Sequence, residues 1–186
     1  MDSRGGATYF AGVNRGKRSI VLDLNAAGDR ERVVRLASTA DVVIENFRPG
    51  VMEKYGLDYP ALRGANERLI HCTITGFGTG EGAGLPGYDL LVQAVGGLMS
   101  VTSPAEGEPY KVGVALVDVI TGLNALSGIL LTLRTSDVTG VGQKVEVDLL
   151  TSLLSGLVNQ AASTLATDRP PVRQGTPASS VSTSRS

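Results

Sequence analysis

Asp118 stands alone in VGVALVDVITGLNALSGIL, residues 112–130, an apolar stretch with no Lys or Arg between Lys111 and Arg134. A carboxylate withdrawn from water without a partner is costly, so it is either tied down by backbone donors or kept for chemistry. As an N-cap it would be satisfied by the amides of a helix start and by Thr121. As a chemical group it is a carboxylate nucleophile, one of the recognised covalent catalysts, set at a helix start by N–H groups. Both readings stay open on the residues alone.

A second cluster, ENFRPG at residues 45–50, follows an apolar run that reads as a strand. Asn46 can read a base or amide edge, Phe47 can cover a ring and Arg48 can pair with phosphate. Pro49-Gly50 then turns the chain into a helix whose amino end favours an anion. The plainer alternative is that Asn46 caps and Phe47 packs. Arg15, Lys17 and Arg18 form a small basic cluster, either a polyanion contact or a solvated turn. Asp89, after Tyr88, reads as an N-cap, and Glu146 and Asp148 as the charged side of a half-solvated edge strand. No GxxxxGK[ST] run is present, and the glycines from Gly76 onward do not directly open a helix.

These residues must be held by an ordinary core. The chain has 186 residues, 42% hydrophobic and 4% aromatic with no Trp, so Val, Leu, Ile and Ala fill it. Seventeen Lys and Arg face 18 Asp and Glu, giving a charge of -1; neither nucleic acid nor a charged membrane surface is expected as partner. His71 and Cys72 are the sole His and Cys, which excludes a Cys/His zinc site. Being neighbours in a strand-like run, they point to opposite faces and make a poor nucleophile pair. The lone Cys72 suits a reducing compartment, and MDSRGGATYFAG lacks the features of a secretory signal, so the expected location is cytoplasmic. Val112 to Leu133 is interrupted by Asp118, Thr121, Gly122, Asn124, Ser127 and Gly128, and reads as a buried amphipathic helix rather than a membrane span.

Ser19 to Leu24 (SIVLDL), Asp41 to Asn46 and Leu69 to Phe77 read as strands. Between them, helices are predicted from Ala26 to Thr39, after Pro49-Gly50, and from Tyr59 to Ala65. Apolar strands alternating with helices argue for an α/β fold with a Rossmann-like parallel sheet, whose ligands sit beyond the strands' carboxyl ends. GFGTGEGAGLPG, residues 76–87, carries six Gly and a Pro and must be a loop. Helices then dominate: Tyr88 to Met99, Val117 to Leu133 and Leu149 to Leu165, with a hairpin-like segment from Thr139 to Val147. The Ser/Thr-rich end, residues 176–186, is expected to be disordered.

Taken in order, NRGKRSIVLDL, ADVVIENFRPGVMEKYGLDYPAL, GFGTGEGAGLPGYDLLVQAVGGLMSVT and VGVALVDVITGLNALSGIL resemble the class III CoA-transferase (CaiB/BaiF) family from about Tyr9 to Arg173. The resemblance implies that acyl-CoA binds the Rossmann-like domain and that an Asp, here Asp118, attacks the thioester to give a mixed aspartyl anhydride and CoA thiolate. Further anhydride and thioester steps would then move CoA onto an acceptor acid. A water-poor pocket would protect the anhydride. No metal and no permanently bound cofactor are implied; CoA or acyl-CoA enters as substrate.

The same resemblance places Leu22 and Asn25 at the adenine end, Asn46, Phe47 and Arg48 along CoA, and Lys54 at a phosphate. Gly87 and Tyr88 would flank the pantetheine arm. The α-methylacyl-CoA racemases of this fold carry His where Tyr88 stands, and a Tyr with a reference pKa near 10 suits proton abstraction poorly. Transfer is preferred, with succinyl-CoA and dicarboxylic acids as the nearest subclass rather than oxalate. A racemase-like enzyme and an inactive remnant that only binds CoA or a partner chain are the alternatives. Family members form interlocked homodimers and are about twice as long, so residues 1–175 read as a large-domain fragment. The sudden composition of residues 176–186 suits translation out of frame.

Overall fold

The computed structural model describes residues 7–104, 106–171 and 173. The expected disorder of residues 176–186 lies outside the described residues. Three short strands, β1 (Val42–Glu45), β2 (Ile70–Thr75) and β3 (Lys144–Asp148), form one parallel sheet in that order. Val43 pairs with His71 and His71 with Lys144, so one register runs across all three strands. The expected α/β fold with a parallel sheet is therefore the fold observed.

Alternation along β2 decides what each face carries. Ile70 and Cys72 point to one side and pack with Ala125, Ile129, Val145 and Val147 beneath helix α7 (Leu116–Thr139). The buried side of α7 reads Val117, Thr121, Ala125, Ile129, Thr132 and Ser136, a stripe of mostly small residues three or four apart. Two of its hydroxyls need no external partner, because Thr121 and Thr132 donate to the carbonyls of Val117 and Gly128. By length and composition α7 could cross a membrane, but this stripe is laid on the sheet.

The opposite side of β1 carries Val43, which joins a cluster of Ala37, Met52, Leu57, Leu62 and Leu69. These come from α2 (Ala27–Ala37), α3 (Val51–Tyr55), α4 (Tyr59–Ala65) and their connections. A short α1 (Thr8–Val13) precedes them and buries none of its residues.

Four expectations are corrected. Ser19 to Leu24 is not a strand: Ile20 and Val21 are 63% and 93% exposed, and no described residue pairs with them. The adjacent β-branched Ile20 and Val21 cannot make a strand without a neighbour to complete the ladder. The hairpin from Thr139 to Val147 is instead the end of α7 at left-handed Gly140 followed by β3, which lies parallel to β2 because α7 carries the chain back across the sheet. The helix from Tyr88 to Met99 is two, α5 (Asp89–Val95) and α6 (Leu98–Val101), divided where Gly97 takes φ 84°. The last helix likewise divides into α8 (Leu149–Gly156) and α9 (Val158–Thr167), at a Val158 with φ 39° that no residue type in the sequence announces.

Candidate active site

The carboxyl ends of β1 and β2 open into a pocket of about 560 Å³. Asn46, Phe47 and Arg48 enter it directly from β1, and Thr75 and Gly76 from β2. The far wall is built from helix starts: Tyr88 and Asp89 at α5, Asp118 in the first turn of α7, and Leu149 at α8.

Packing holds these helix starts together. Val92 of α5, Val117 of α7, and Leu149 and Leu153 of α8 form a single buried cluster. Each such side chain contributes roughly 1.5–3 kcal/mol when fully buried, more than a typical hydrogen bond at about 1 kcal/mol. Apolar packing therefore sets where the helices lie, and polar contacts adjust their ends. On the strand side, Glu45 accepts from the Phe47 N–H at 2.9 Å and Thr75 Oγ1 from the Gly78 N–H at 3.0 Å. The carbonyl of Gly76 accepts from Leu150 N–H at 3.1 Å and ties the end of β2 to α8.

Six of the nine residues expected at the site line this pocket: Asn46, Phe47, Arg48, Gly87, Tyr88 and Asp118. Asn46 does not cap α3, whose N-cap is Gly50. The amino end of α3 makes no anion site, since the helix has only five residues. Asp118 is not an N-cap either, because that position in α7 belongs to Ala115.

Leu22, Asn25 and Lys54 are not brought to the pocket. Leu22 is half-buried in the irregular segment before α2. Asn25 and Lys54 meet at Tyr55 instead: the Tyr55 hydroxyl donates to Asn25 Oδ1 at 3.2 Å, and Lys54 Nζ lies 5.0 Å from the Tyr55 ring centroid. This second patch joins the first through α3, which starts two residues after Pro49. Arg15, Lys17 and Arg18 are exposed and do not line the pocket.

The expectation of a buried Asp118 is corrected as well. The residue is exposed at the open rim, because the apolar stretch around it forms a helix with only one face on the sheet. Its carboxyl is still pushed above the usual carboxylate range, first by partial loss of water against the pocket walls, then by the charge of Asp89. Nor is it a lone carboxylate. Asp89 is not the N-cap of its own helix, a place taken by Tyr88; its Oδ1 accepts from the N–H groups of Val117 and Asp118 at 2.8 and 3.3 Å.

Sequence reading missed Thr75, Gly76, Thr121, Gly122 and Leu149 as pocket walls. The rule that ligands sit beyond parallel strands could have found Thr75 and Gly76. Leu149 carried no signal, since β3 was not recognised as a neighbour of β2.

The sequence matches the family profile of CoA-transferase family III over residues 1–185. The chain belongs to this family. Among curated relatives of this CoA-transferase family, it is 46% identical over 170 residues to the succinate–glutarate CoA-transferase of Agrobacterium fabrum, covering 91% of this chain and 42% of that protein. It is 41% identical over 169 residues to the acetyl-CoA:oxalate CoA-transferase of Acetobacter aceti, covering 90% and 43% respectively. A solved structure of a CAIB/BAIF family protein from Brucella suis superposes with a TM-score of 0.86 at 46% identity, over 90% of this chain and 44% of that one. The chain thus spans under half the length of these family III relatives.

Proposed function

We propose that this chain carries the nucleophile-bearing part of a CoA-transferase that moves CoA from an acyl-CoA to a dicarboxylic acid. The observation that carries the reading is that Asp118 shares one pocket with Asn46, Phe47, Arg48, Gly87 and Tyr88 at the carboxyl ends of β1 and β2. Asp118 Oδ attacks the thioester carbonyl carbon; the C–S bond breaks, CoA leaves as thiolate, and a mixed anhydride remains on the side chain. A carboxyl held above its usual range is a more basic and more nucleophilic carboxylate once ionised.

The acyl end and pantetheine arm occupy the pocket beside Gly87 and Tyr88. The nucleotide end runs along α3 toward the Asn25–Tyr55–Lys54 patch, where Lys54 supplies charge to a phosphate. The dicarboxylate class is supported by the relatives in Agrobacterium fabrum and Acetobacter aceti, whose names specify succinate and glutarate, or oxalate. The reducing cytoplasm is the proposed location, in keeping with the free thiol of Cys72.

Asp118 lies open to water in this chain, so the reading assigns protection of the anhydride to protein beyond it, from a longer chain or a homodimer partner. Mass spectrometry after incubation with succinyl-CoA tests the proposal: a hydroxylamine-sensitive acyl adduct is expected on Asp118 and none on Asp118→Asn, which still binds CoA. Exchange of the α-proton without an adduct would replace transfer by racemisation. CoA binding with neither would leave a non-catalytic binding fragment.

A further inference from the structure

We infer that Asp89, oriented by Gln93, is the positioning residue that fixes the Asp118 end of α7 against the pocket. The inference rests on the proposed role of Asp118 and concerns how that side chain is placed. The N-cap of α7 is Ala115, which has no side chain able to accept from the first-turn amides. Asp89 fills this need from another helix, its Oδ1 accepting from Val117 N–H at 2.8 Å and Asp118 N–H at 3.3 Å. The carboxylate does for α7 what a capping Asp does for its own helix.

Gln93 makes the arrangement specific to a carboxylate. It is fully buried, and its Oε1 accepts from Val112 N–H at 2.9 Å, which commits its Nε2 to donate. That donor meets Asp89 Oδ2 at 2.5 Å. Asp89 therefore faces donors on both oxygens. An Asn at position 89 could turn its oxygen to one side only, leaving its amide against either the Gln93 amide or the α7 amides. If Gln93 flipped to compensate, Val112 N–H would lose its acceptor. One carboxylate and one amide thus tie α5 both to the irregular segment entering α7 and to the helix start itself. The charge of Asp89 also bears on Asp118 by raising its carboxyl.

The test uses the whole chain and needs no acyl transfer, so its failure is separable from failure of the Asp118 adduct. In the unsubstituted chain, NMR is expected to show a coupling across the hydrogen bond from the Val117 amide to the Asp89 carboxyl carbon. In Asp89→Asn, hydrogen exchange of the Val117 and Asp118 amides should rise about tenfold, the equivalent of a lost charge-assisted bond, while Ile129 in mid-helix is unchanged. The Asp118 carboxyl should titrate lower than before. Absence of that coupling overturns the inference, even if Asp89→Asn does not fold. So does a uniform rise in exchange along α7 with the Asp118 titration unmoved, which would mark Asp89 as a merely structural residue.

Discussion

Gly76 and Gly87 meet backbone to backbone: a Cβ built on Gly76 would fall 2.3 Å from the Cα of Gly87, and one on Gly87 would fall 2.6 Å from the Cα of Gly76. The contact closes the glycine-rich loop onto the end of β2 and makes both residues part of the pocket wall.

Neither side of that contact can yield by rotating a side chain. Gly87→Ala must part the two backbones, at a cost of about 1–3 kcal/mol in the range of overpacking substitutions. Thermal unfolding should shift down by roughly 2–10 °C for a chain of this size, and CoA affinity should fall with it. Gly84→Ala, in open space in the same loop, serves as the control and should leave both unchanged. An unchanged melting temperature in Gly87→Ala would contradict the contact.

Asp118 should cost stability at neutral pH. Its carboxyl is raised in the folded chain, so between the unfolded and folded values the native state binds more protons and stability falls as pH rises. Above both values the penalty is complete. Asp118→Asn removes it and should raise the melting temperature at pH 7 by about 2 °C or less, the exposure of the group keeping the effect small. The difference between the two proteins should vanish in acid, below the titration of Asp118. Calorimetry across pH checks the sign, and a less stable Asn variant at pH 7 would refute it.

His71 gives the opposite dependence. The ring is buried against Tyr59, with centroids 6.2 Å apart, and its Nε2 has no partner among the described residues. Burial, helped by Lys144, lowers its pKa, against the raising influence of Glu45, Asp58 and Glu53. Below the unfolded value of 6.5 the unfolded chain takes a proton that the folded chain refuses, so this contribution is complete above that pH and lost as pH falls. The slope is at most about 1.4 kcal/mol per pH unit for one proton. Urea unfolding of His71→Phe between pH 7.5 and 5 should show a flatter dependence, with stability at pH 7.5 within about 1.5 kcal/mol of the parent. Parallel curves would remove His71 as the source.

The opposite-face placement of His71 and Cys72 was legible from adjacency in a strand, because side chains alternate there whatever surrounds them. The ENFRPG motif was legible for a similar reason: a strand ending in a turn places its next residues at the sheet's carboxyl edge. Asn46, Phe47 and Arg48 are found there. SIVLDL misled because local propensity cannot supply a partner strand. The buried Asp118 misled because an apolar sequence does not say which face of a helix meets the core.

The sequence by itself determined the parallel α/β class, the glycine-rich loop and the family motifs, all of which depend on residue types a few positions apart. Tertiary structure decided that β3 lies beside β2, that Asp89 binds the start of a helix 28 residues further on, and that Asp118 stands at an open rim. The physical reason is range. Periodicity and turn chemistry act between near neighbours, whereas exposure and the partner of a carboxylate depend on distant segments that only packing brings together.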